Sequence, residues 1–133
     1  MKLTEREETT QYAIKIIDSC FKRNEYTSAL LLSFIYASIR LSTILTNYLS
    51  PNDDKWKETH KILNKINFSV LIKQCKDKNI LSKDDYNKLD KLRILRNNIA
   101  HESILWKELS EDEIKNIKEK CESVKNFLQI TNN

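Results

Sequence analysis

The 133-residue sequence predicts an all-α fold, a single-domain bundle of five to six helices, and three observations predict it. The chain has no glycine and one proline, Pro51, whereas all-β folds lean on glycine for turns with positive φ. Apolar residues recur at helical intervals in one segment after another. Several of those segments open on a residue that caps helix N-termini.

The first helix is predicted to begin at Thr4, which has capping-box spacing to Glu7. Ala13, Ile16, Ile17, Cys20 and Phe21 then mark one face, and Asn24 ends it. A second helix, Tyr26 to Tyr48, is apolar nearly all round, so it belongs at the centre of a bundle or against another subunit. Arg40 in its middle and its many Ser, Thr and Tyr residues favour a core helix over a membrane span. After the loop at Ser50-Pro51-Asn52, a weaker third helix runs from Asp54 to Lys65 and a fourth from Ser69 to Lys78. Asn79 can supply the left-handed residue that glycine usually provides at a helix end. Ser82 caps a fifth helix, Lys83 to Ala100, and Ser110 with Glu113 opens the last, which places Ile114, Ile117, Cys121, Val124 and Leu128 on one stripe. Thr131-Asn132-Asn133 is expected to fray. No repeat or internal boundary divides the chain, so residues 1–133 read as one domain.

Composition narrows the function classes. Without glycine there is neither a P-loop nor a dinucleotide-binding turn. The net charge of +4 permits a polyanionic partner without demanding one. Cys20, Cys75 and Cys121 are far apart, form no CxxC pair and fall on apolar faces, which suggests buried free thiols in a reducing, cytoplasmic setting. The polar, acidic start MKLTEREETT is unlike a signal peptide. No metal or cofactor is expected.

The chemically distinctive residues lie on the fifth helix. On a wheel of about 100° per residue, Leu89, Leu92, Leu95, Ile99 and Ala100 form the apolar face and Arg96 falls near its middle. A guanidinium stays charged, so there it must meet a carboxylate, a carbonyl, a subunit interface or an anionic ligand. Arg93, Asn97 and His101 follow one another at intervals of one turn beside it. Arginines that grip phosphate oxygens, an amide that orients and an imidazole that moves a proton suit a phosphodiester.

Leu92-Arg93-Ile94-Leu95-Arg96-Asn97-Asn98-Ile99-Ala100-His101 resembles the signature of HEPN domains, an arginine and a polar residue followed by a histidine after a short spacer. Phe68-Ser69-Val70-Leu71-Ile72 and Lys78-Asn79-Ile80-Leu81-Ser82 are similar to the helix and turn that precede it in many members. The resemblance implies a HEPN-like bundle that dimerises with its signature helices facing each other. It implies metal-independent RNA cleavage of the toxin–antitoxin or phage-defence kind, leaving a 2′,3′-cyclic phosphate. By it His101 is the general acid or base, Arg96 stabilises the phosphate charge, Asn97 positions the phosphate or His101, and Arg93 and Ser103 contact substrate. An antitoxin or nucleotidyltransferase partner is also implied. Ser103, however, stands where one toxin branch carries the tyrosine that a nucleotidyltransferase modifies, which argues against regulation by that route.

Plainer readings stand beside these. Arg96 could pair with Asp18 or Glu25, and His101 could serve only as a helix C-cap. His60 reads as a surface residue, Trp56 and Trp106 as packing, and Lys73, Lys76, Lys78 and Lys83 as a solvated face that could also steer RNA. The whole chain could instead be a non-catalytic HEPN-like module that binds nucleotide, RNA or protein, or an adaptor docking through its second helix.

Overall fold

In the computed structural model the most apolar segment, α2 (Tyr26–Leu49), is the hub of the chain. Against it pack α1 (Glu5–Lys22), α3 (Trp56–Leu63), α4 (Phe68–Asp77), α5 (Lys83–His101) and α6 (Glu111–Ile130). A 3-10 turn at Asp53–Lys55 leads into α3. The structure describes residues 5–101 and 108–130, without the side chains at 5, 6, 53 and 101. Among the described residues there are six α-helices and no strand, an all-α single domain. Thr4, Ser103, Trp106 and the terminal Thr131-Asn132-Asn133 lie outside the described residues.

The helix ends show how a chain without glycine turns. Asn24 and Asn79 are the described residues with positive φ, at 56° and 60°. Each follows a helix whose last carbonyls are satisfied in the same way. The Glu25 N–H donates to the Cys20 carbonyl at 2.8 Å and the Asn24 N–H to Phe21 at 3.1 Å. Ile80 and Asn79 repeat the pattern onto Cys75 and Lys76, both at 3.0 Å. These are Schellman closures with asparagine in the left-handed position, which tolerates it better than other residues with a Cβ. At the other ends, Ser82 Oγ accepts from the Asp85 N–H at 3.1 Å. Ser110 and Glu113 exchange the two reciprocal bonds of a capping box.

The core is one cluster drawn from every helix, with Ile17, Leu30, Leu41, Leu71, Leu92 and Ile117 all but fully enclosed. All three cysteines are buried and free. Half of the apolar window in α2 is buried inside the chain, although that helix is long and apolar enough to cross a membrane. Arg40, in its middle, is buried and donates to the Thr10 hydroxyl of α1 at 2.6 Å. One flank of α2 stays open: Leu31, Ile35 and Ile39, spaced by one turn, are each more than two-fifths exposed.

Candidate functional site

Arg96 meets an aromatic ring. Its guanidinium carbon lies 4.4 Å from the centroid of Phe34 of α2, and that ring leans on Phe68 of α4, also at 4.4 Å. The negative face of an aromatic ring attracts a cation and asks less desolvation of it than a dry aliphatic core would. This is how the arginine occupies the middle of an apolar helical face while staying half-buried. The carboxylates once considered for it are engaged elsewhere, Asp18 with Lys125 at 2.7 Å and Glu25 with Arg23 at 3.1 Å.

Arg96 also donates through Nη1 to Asn97 Oδ1 at 2.7 Å. That bond fixes the orientation of the Asn97 amide and leaves its N–H donors free of the arginine. Arg93, one turn earlier, is clasped by Asp90 of the same helix, with Nε and Nη2 at 2.9 and 2.8 Å from one carboxylate oxygen. Its charge is therefore largely offset on the helix itself.

These three side chains form one wall of a cleft of about 480 Å³. Phe34 and Ser38 of α2 form a second wall, and Lys65, Ile66, Asn67, Phe68 and Ser69 at the α3–α4 corner form a third. Asn67 is the N-cap of α4, its Oδ1 accepting from the Ser69 N–H at 3.2 Å and from the Ser69 hydroxyl at 3.3 Å. Both asparagines thus spend their acceptor oxygens on protein donors. Among the side chains, the donors that remain toward a ligand are amide N–H, guanidinium, ammonium and the Ser38 hydroxyl, and no carboxylate lines the cleft among the described residues. Such a lining suits an acceptor-rich anion.

The structure brings Arg93, Arg96 and Asn97 together as expected. The backbone of His101 closes α5 one turn beyond Asn97, on the same line. Its side chain and Ser103, both expected at the site, lie outside the described residues. Ala100, expected on the apolar face, is exposed. The residues that sequence reasoning missed are Phe34, Ser38, Lys65, Asn67 and Ser69. Only Asn67 carried a local signal, as a capping residue before an apolar run.

His60 is not the surface residue expected. It is half-buried and stacked on Trp56 with ring centroids 4.6 Å apart. Its Nδ1 faces Asn64 Nδ2 and its Nε2 faces Thr43 Oγ1, both at 3.3 Å. This polar seam stitches α3 to α2. Trp56 packs as expected, with its N–H donated to Asn47 at 2.7 Å. Lys73, Lys76 and Lys83 are exposed as expected, Lys76 lying over the Tyr86 ring at 4.4 Å, and Lys78 is half-buried. Among the described residues no three His, Cys, Asp or Glu side chains cluster as a metal site would need.

No protein-family model, curated protein or solved structure matches the chain.

Proposed function

We propose that this chain is a HEPN-type, metal-independent RNA endonuclease, of the kind used as toxins or in phage defence and acting in the cytoplasm. The observation that carries the reading is the donor-lined cleft with the bonded pair Arg96–Asn97 on its wall, one turn before His101. A phosphodiester offers acceptor oxygens to those side-chain donors. In the proposed reaction the ribose 2′-oxygen attacks the neighbouring phosphorus as the bond to the 5′-oxygen breaks. His101 acts as general acid or base, taking the 2′ proton or supplying one to the departing oxygen. Arg96 and the Asn97 amide hold the phosphate oxygens as charge accumulates on them. The ends left are a 2′,3′-cyclic phosphate and a 5′-hydroxyl.

The working unit in this reading is a homodimer. Leu31, Ile35 and Ile39 sit next to Phe34 and Ser38 on the α2 surface, so a second copy seated on that flank would border the cleft. Purified protein is tested on RNA in EDTA beside His101→Ala, with helicity and mass in solution matched. Cleavage by the wild type alone, leaving cyclic phosphate ends, is the expected result. Cleavage by both would mark a contaminant and sink the site. RNA binding without cleavage by either would leave a binding module in its place.

A further inference from the structure

The HEPN-type signature accounts for one wall of the cleft, and the α3–α4 corner that also lines it has no assigned role. Three observations set that corner apart. Lys65 is exposed at the cleft and has no carboxylate within ion-pair distance among the described residues, whereas Arg93 on the α5 wall is held by Asp90. Asn67 has its oxygen tied down by Ser69, so the polar group it can offer a ligand is its N–H pair. The cleft, at about 480 Å³, is within the range that holds whole small molecules, about 300–1,000 Å³, and is larger than one phosphate group needs.

We propose that Lys65, Asn67 and Ser69 form a second subsite that binds the phosphate and sugar next to the scissile phosphate on the same RNA strand. The proposal rests on the ribonuclease reading for the position of the scissile phosphate, at Arg96. With Arg96 on one wall and Lys65 on the other, a strand crossing the cleft is held at two successive phosphates. Its register is then fixed, which a single grip cannot do. The Asn67 amide donates to a phosphate oxygen, and the Ser69 oxygen, whose proton is given to Asn67, accepts from a ribose hydroxyl. The substrate class follows: RNA with at least one phosphate beyond the one being cut.

Binding is measured by fluorescence anisotropy of a short, mixed-sequence, labelled oligoribonucleotide, in the His101→Ala background so that the RNA stays intact. Lys65→Ala should weaken binding about five- to tenfold and lower the slope of log affinity against log salt by about 0.7, the loss of one single-strand phosphate contact. Lys65→Arg should retain binding. Asn67→Asp keeps an equally good N-cap, so α4 stays formed, but turns the N–H pair into a carboxylate; it should weaken binding at least tenfold. Lys61→Ala, an exposed lysine outside the cleft, is the control and should change nothing. In the active protein, Lys65→Ala should slow cleavage of the oligonucleotide several-fold more than that of a dinucleoside monophosphate, which has no second phosphate. Parent-like binding by both Lys65→Ala and Asn67→Asp, or no RNA binding by the parent, would overturn the subsite. Loss of binding in these variants with no cleavage by wild type would keep the subsite and overturn the catalytic reading instead.

Discussion

Replacing Phe34 by leucine keeps an apolar side chain and removes the ring on which Arg96 rests. Two interactions go with it. The pair with Phe68, at a centroid distance of 4.4 Å, is worth about 0.5–1.5 kcal/mol beyond its buried area. The cation–π contact of a half-buried arginine contributes about 0.5–1 kcal/mol. Phe34→Leu should therefore cost about 1–2.5 kcal/mol, a fall in Tm on the order of 3–10 °C for a chain of this size. Arg96→Met alone should be nearly neutral, because the lost contact and the lost hydrogen bond to Asn97 are offset by not having to desolvate a guanidinium. The informative quantity is the coupling in the double-mutant cycle, read from urea unfolding of the four proteins. It should be about 0.5–1 kcal/mol in favour of the native pair. A coupling below about 0.3 kcal/mol, the noise of additivity for independent sites, would refute the claim that the ring is what lets this arginine sit on an apolar face. In the His101→Ala background, Phe34→Leu should also weaken RNA binding several-fold, since Arg96 then loses its platform.

Asn79→Ala should cost about 1–2 kcal/mol and Asn79→Gly almost nothing, as chemical denaturation would show, because φ is 60° there and a Cβ is tolerated poorly without the asparagine amide. Burial pushes the Cys75 thiol up to about 12 and the Cys121 thiol up to about 11. A folded-state pKa above the unfolded value means the native chain keeps protons that the unfolded chain releases. Stability should be fully present below about pH 8.5 and fall by up to about 1.4 kcal/mol per pH unit per thiol between there and the folded values. Cys75→Ala should flatten that alkaline slope in denaturant titrations, and an unchanged slope would show the thiol is not responsible. Ile35→Glu, on the open flank of α2, should leave the monomer's helicity intact and shift sedimentation toward the monomer. A variant that sediments like the wild type would move the interface off this flank.

Much of the architecture was legible because its signals are local. Capping at Ser82 and Ser110, the left-handed Asn79 and the all-round apolarity of α2 each concern residues within a turn or two of one another, and each appears in the structure as expected. The α5 wall of the site was legible for the same reason, since Arg93, Arg96 and Asn97 are brought together by helical periodicity alone. What escaped depends on which helices pack side by side. Phe34 is one apolar residue among many along α2, and its role depends on the packing that brings Arg96 of α5 to its ring. His60 read as a surface residue in a polar stretch because Thr43, its partner in α2, is distant in sequence.

The same distinction explains how the cleft is built. A motif on one helix can supply a grip on one phosphate, but a strand needs a second contact from another element to be held in register. The α3–α4 corner lines the same cleft as α5, and its residues are unremarkable in sequence because a lysine, an asparagine and a serine at a helix start serve stability as readily as binding. Asn67 is placed for both, as its oxygen caps α4 while its residue lines the cleft. A substitution there that preserves the cap and reverses the polarity therefore separates the two roles, which no change at Arg96 can do, because the contacts that hold the arginine are the ones that aim it.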